Sequence, residues 1–180
     1  MSGGTLLGMP PIRRLPVLQQ APSTDDGRPR WHWTLIGALF ALSVWVPLAM
    51  LSGWIAGRIV HRFAGDAPPE TLSDQIATAE GATRAWLWFA VTAVPVLSFA
   101  AACLAAGALV GRFGGRAGAK EAAQGAALAA AVGSLLSAAQ TGWAFALVGL
   151  LVLAPVGAAA GWVGGRLGWK RRPLAEQRLG

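Results

Sequence analysis

Charged residues cut the chain into long apolar stretches. Three of these carry no Asp, Glu, Lys or Arg: Trp33 to Gly57 (25 residues), Ala85 to Gly111 (27 residues) and Ala122 to Gly165 (44 residues). About 20 apolar residues in helical form cross the hydrocarbon of a bilayer, so each of the first two is one span. As a single straight helix the third would reach about 66 Å, roughly twice the hydrocarbon thickness. It must fold back on itself. The polar break Gln140-Thr141-Gly142 supplies the place, and Trp143 after it is a residue that favours the membrane–water boundary. The pattern predicts an all-α polytopic membrane protein, a compact bundle of four transmembrane helices near 33–57, 85–111, 122–139 and 143–165.

The third of these is the least apolar, rich in Ala, Gly and Ser, and is expected to be surrounded by the other three; an interfacial hairpin is the alternative. Charge placement favours the span. Basic residues number four before the first helix, three between the second and third, and five from Arg166 onward, while the connection between the first and second has three together with four acids. Four spans put twelve basic residues on one side and three on the other, and because positive loops stay in the cytoplasm both termini are expected there. Three spans would send the basic tail outside. The expected location is the cytoplasmic (inner) membrane of a bacterium, with residues 1–32 a flexible, basic, Pro-rich cytoplasmic tail, 58–84 an extracytoplasmic connection and 166–180 a second basic tail. Residues 1–30 hold no apolar run long enough for a signal peptide, so the first helix is expected to act as an uncleaved anchor. Within the connection, Thr71 and Asp74 resemble a helix start, and Leu72, Ile76 and Ala79 share one face of a short surface helix.

Three apolar runs close on Gly-x-x-x-Gly-Arg: Gly53 to Arg58, Gly107 to Arg112 and Gly161 to Arg166. Glycines four apart make a flat strip on a helix face that lets a second helix approach closely in lipid. Four-residue spacing of small residues extends these strips and adds one on the third helix. Gly53, Gly57, Gly107, Gly111, Gly125, Gly133, Gly157, Gly161 and Gly165 are thereby the expected helix-packing positions. Counted from Pro47 and Pro155, the first and last helices share Gly at +6 and +10, Trp at +7 and Arg at +11. Two readings of this stay open. One is a duplicated element, inverted in the membrane as in many transporters; the other is independent selection of Pro, Gly and Arg for bend, contact and boundary. Pro47, Pro95 and Pro155 lie inside helices one, two and four, each removing one backbone hydrogen bond, so bends are expected there, with the Ser43 hydroxyl available near the first.

The spans carry no ionisable group suited to ion or proton coupling. His32 and His61 flank the first helix roughly a membrane apart and cannot share a metal. Ser52-Gly53 lacks a membrane histidine to act as base. Cys103, the only cysteine, reads as a small packing residue. Catalytic, cofactor and metal sites are therefore expected to be absent, and the chain is not expected to be an enzyme. The glycines from Gly111 to Gly118 fit neither a P-loop nor a dinucleotide fingerprint. Net charge of +7 arises from basic residues beside helix ends, which points to anionic lipid headgroups rather than nucleic acid. Arg112, Arg116, Lys120, Arg166, Lys170, Arg171 and Arg172 are the expected headgroup contacts.

The segment Gly107 to Gly118, followed by the small-residue helix containing Gly125 and Gly133, resembles a group of small, glycine-rich, four-helix bacterial membrane proteins of uncharacterised function. The similarity covers about residues 85–165, implies an integral cytoplasmic-membrane protein and carries over no active site. A non-catalytic accessory or structural subunit, packed against other integral membrane proteins and membrane lipids, is the expected role. A small transporter or channel component built on an inverted helical repeat is the alternative.

Overall fold

The computed structural model describes residues 31–65, 68, 71–115 and 117–171. The expected amino-terminal tail up to residue 30, Asp66, Glu70, Arg116, Arg172 and the last eight residues lie outside them. Every regular element among the described residues is helical: α1 (Trp31–Ala64), α2 (Leu72–Thr78), α3 (Gly81–Trp88), a π-helical turn (Phe89–Ala93), α4 (Val94–Phe113), α5 (Ala119–Thr141) and α6 (Trp143–Lys170). α3, the π turn and α4 run on as one rod, Gly81–Phe113, and with α1, α5 and α6 make four helices long and apolar enough to cross a membrane.

All four extend beyond the charge-free stretches that mark them in the sequence. A charged side chain does not break a helix whose backbone stays hydrogen-bonded, and Arg58, His61 and Arg62 simply continue α1 past the apolar part. With 34 residues α1 is about 51 Å long, so about 20 Å of it projects beyond a hydrocarbon layer of about 30 Å. It stops where Gly65 takes φ +68° and its N–H donates to the His61 carbonyl at 3.0 Å, a left-handed residue closing a helix end. The fold-back between α5 and α6 falls at Gly142, whose φ of +87° is a conformation that a side chain would strain. The short α2 occupies the connection, with Ile76 buried and Leu72 half-buried. The Thr71 hydroxyl donates to the Pro68 carbonyl at 2.9 Å rather than capping the helix.

The helices α1 and α6 continue through Pro47 and Pro155. Pro95 lies in the first turn of α4, separated by Val94 from the π turn, where Thr92 donates its hydroxyl to the Trp88 carbonyl at 2.6 Å. A π turn adds a residue to the helix and shifts its hydrogen-bond register just where a proline removes a donor. Ser43 donates its hydroxyl to the Leu39 carbonyl at 2.8 Å, one turn before the carbonyl that Pro47 leaves without its usual donor.

The helices pack as a diamond. α4 and α5 each touch every other spanning helix, while α1 and α6 take opposite corners. Glycine contacts give the directions: Gly107 and Gly111 of α4 meet Gly161 and Gly165 of α6 in the same order, so those two are parallel. Gly157, Gly161 and Gly165 meet Ala126, Ala122 and Ala119 in reverse, so α5 is antiparallel to α6. The shared centre is small and apolar: Ala38, Ala41, Phe99, Cys103, Ala106, Ala126, Ala129 and Ala130. Phe99 is its one large, fully buried ring, meeting Trp45 edge-on at 5.6 Å between centroids. Around this core the outward surface is apolar too, with Leu39, Met50, Leu136, Phe145 and Leu151 each more than 60% exposed.

A bundle so apolar on its outside is expected to stay with the membrane pellet after alkaline carbonate washing. Release into the supernatant would contradict the assignment of these helices to a bilayer.

Candidate functional site

Two features of the bundle bring sequence-expected residues together: the glycine contacts around α6 and a basic cleft at one end. At a glycine only a hydrogen lies in the direction a Cβ would take, and that space can be filled by a neighbour. At Gly107 it is filled by the Gly161 carbonyl, and at Gly111 by the Gly165 carbonyl, each too close for any side chain. Gly164 and Gly168 return the contact, facing the carbonyls of Leu104 and Ala108. Such facing Cα–H and C=O groups are a recurrent weak interaction between tightly packed helices. On its other side α6 meets α5: a Cβ at Gly161 would lie 2.8 Å from the Ala122 carbonyl oxygen, and one at Gly165 would lie 2.7 Å from the Ala119 Cα. A Cβ at Gly157 would lie 2.8 Å from the Phe99 ring.

The remaining expected packing glycines divide. Gly125 is in contact with α1, where a Cβ would lie 2.8 Å from the Thr34 carbonyl oxygen; Gly133 faces the Trp45 ring at 3.6 Å, an ordinary contact. Gly53 and Gly57 differ from the expectation. Both are exposed, and nothing in the described residues lies within 4 Å of a Cβ built on either. The reason is register: the inward face of α1 runs through Gly37, Ala38, Ala41 and Ser52, and Gly53 and Gly57 fall on the opposite side with Val46 and Met50. Gly37, Gly164 and Gly168 are contact residues that the sequence reading missed. Gly164 was detectable, because Gly164-Gly165 places glycine on two neighbouring stripes of one helix and so predicts two contact faces.

At the end of the bundle where α5 begins and α6 finishes, Lys120, Arg166 and Lys170 line a cleft of about 450 Å3 with Gly118, Glu121 and Trp169. The Arg166 guanidinium lies over the Trp162 ring, 4.0 Å from its centroid. Glu121 is buried, and its Oε2 accepts from the Gly118 N–H at 2.8 Å, tying a carboxylate to the start of α5. Arg112 stands apart from this group at the end of α4, over the Phe113 ring at 5.5 Å. Arg171 follows α6, donating its N–H to the Gly168 carbonyl at 3.1 Å. The turn from α4 to α5 uses Gly115 at φ +55°, so at least one of the clustered glycines there serves the tight connection.

Within the described residues no group of three or more His, Cys, Asp and Glu is gathered as a metal would require. His32 stacks on Trp31 at 4.1 Å, near the start of α1. Three polar atoms are buried without a hydrogen-bond partner among the described residues, Trp45 Nε1, Gln75 Oε1 and Ser134 Oγ. Ser134 borders a shallow recess of about 110 Å3 that is otherwise formed by apolar residues such as Leu135, Trp143 and Leu147. No protein-family model, curated protein or solved structure matches the chain.

The glycine geometry sets up a direct comparison. Gly107→Ala and Gly161→Ala force backbone apart at occupied positions and are expected to lower stability by about 1–3 kcal/mol. Gly53→Ala and Gly57→Ala meet open space and relieve the cost of glycine in a helix, so each should leave stability unchanged or raise it by up to about 1 kcal/mol. Cys103, fully buried and the only cysteine, provides the readout: thermal unfolding in mild detergent exposes it to a thiol-reactive fluorophore.

Proposed function

We propose that the chain is a non-catalytic integral membrane protein of a bacterial cytoplasmic membrane, an accessory or structural subunit that packs against other membrane proteins. The observation that carries this reading is the pair of equivalent glycine strips with different fates. Gly161 and Gly165 are filled by α4 and α5, whereas Gly53 and Gly57, at the same distances from a proline, face outward with none of the described residues against them. A glycine in a helix interior costs about 1 kcal/mol relative to alanine, so an unused strip is a standing cost unless something packs on it. A transmembrane helix of another protein is the occupant that the strip's shape and apolar flanks suit.

The alternative of a conduit is less well served. The middle of the bundle is filled by alanines, Phe99 and Cys103, and a path for ions or polar solutes needs polar or ionisable groups lining it. Both termini are taken as cytoplasmic on the strength of the basic residues, and the resemblance to small glycine-rich four-helix proteins is consistent with this role without adding to it.

Native gel electrophoresis and mass spectrometry after mild-detergent extraction test the proposal. The parent chain is expected to migrate with at least one further protein or a second copy. Gly53→Leu with Gly57→Leu is expected to release that companion without lowering the Cys103 unfolding temperature of the isolated chain. A parent chain that runs alone, fully stable, would falsify the subunit reading.

A further inference from the structure

The cleft between the start of α5 and the end of α6 combines features that point to a particular ligand chemistry. Three cations, Lys120, Arg166 and Lys170, share it with one carboxylate, Glu121, leaving an excess of two positive charges. That carboxylate is engaged with the Gly118 N–H at the helix start. Arg166 is steadied by its stack on Trp162, which limits the ordering needed when a ligand arrives. Position narrows the choice further. The cleft lies at the ends of two membrane-crossing helices, with Trp162, Val163 and Leu167 exposed on α6 beside it.

We infer that this cleft binds the phosphate of an anionic phospholipid headgroup, with the acyl chains lying along the apolar flank of α6. Phosphate oxygens accept charge-assisted hydrogen bonds from Lys and Arg, and the two lysines and one arginine, all exposed, border the cleft from two different helices. Basic recesses between spanning helices on a cytoplasmic face are suited to such headgroups. A volume of about 450 Å3 accommodates a phosphoglycerol group as well as its phosphate. The site requires that the four helices span a bilayer, and is independent of whether any protein packs on α1.

The test is native mass spectrometry of the full chain, released from mixed micelles holding equal amounts of phosphatidylglycerol and phosphatidylcholine. The parent is expected to retain phosphatidylglycerol in preference to phosphatidylcholine, with about a fivefold loss for each cation removed. Lys120→Gln, Arg166→Gln and Lys170→Gln together should abolish the preference, and Arg58→Gln at the other end of the bundle should leave it intact. Glu121→Gln keeps an acceptor for the Gly118 N–H while removing a negative charge, and should strengthen retention. Cys103 unfolding shows that each variant is folded, and Lys170→Gln alone, at the exposed end of α6, substitutes if the triple variant is not. Equal retention of both lipids, or a triple variant with the parent's preference, overturns the site. Displacement of the lipid by millimolar inorganic phosphate, with phosphate itself retained, overturns the lipid as its source.

Discussion

Apolar side chains gain little by leaving lipid for a neighbouring helix, so helices in a bilayer associate through close fit and through the approach of their backbones. α6 makes that approach on two sides at once. Its six glycines, among them Gly161, Gly164, Gly165 and Gly168, set it against the carbonyls of α4 on one side and the alanines of α5 on the other. At about 1 kcal/mol relative to alanine, each glycine weakens the helix as a helix. The arrangement is stable only if the contacts made possible by the missing side chains offset this, so α6 and its two neighbours depend on one another. α1 joins the opposite edge both by backbone approach, where Gly125 meets Thr34 and Gly37, and through larger groups, notably Trp45 against Phe99 and Gly133.

The repeat shared by α1 and α6 separates into two parts with different physical roles. Its Trp and Arg form a local pair in both copies: Arg58 lies 5.2 Å from the Trp54 ring centroid and Arg166 lies 4.0 Å from that of Trp162. Residues four apart on a helix are neighbours, so this pair forms without help from the rest of the fold, and it places a cation and an amphipathic ring together where the apolar part of each helix ends. The glycines behave otherwise. They express a contact in α6 and, among the described residues, none in α1. Local chemistry therefore accounts for the Trp and Arg wherever the motif occurs, while the glycines take their role from what surrounds the helix.

This difference also marks what could be read from the sequence. The four long helices follow from the spacing of charges, and the fold-back at Gly142 from the excess length of the last apolar run, because both are set by chain length against bilayer thickness. Helix ends were misjudged by up to seven residues, since a helix does not stop where charge begins. The strip at Gly53 and Gly57 could not be told from that at Gly161 and Gly165, because a spacing of four reports a capacity for contact and leaves its direction open. The direction depends on which side of α1 faces Val110 and Gly125, and that is set by helices distant in sequence.

The basic cleft lies between these extremes and follows from the same backbone contact. Gly142 turns the chain, and Lys120 and Arg166 lie at nearly equal distances from it along the two arms of the hairpin, so antiparallel packing brings them to one height. Equal height is not enough to form a shared recess. The two helices must also approach closely at that end, and Gly165, with no room for a side chain against Ala119 and Ala122, permits it. With a larger residue there, the cations would stand on separate surfaces with water between them, where screening weakens any joint pull on an anion. The contact that holds the bundle together thus also gathers its positive charge, which ties the strength of the proposed headgroup site to the integrity of the α5–α6 packing.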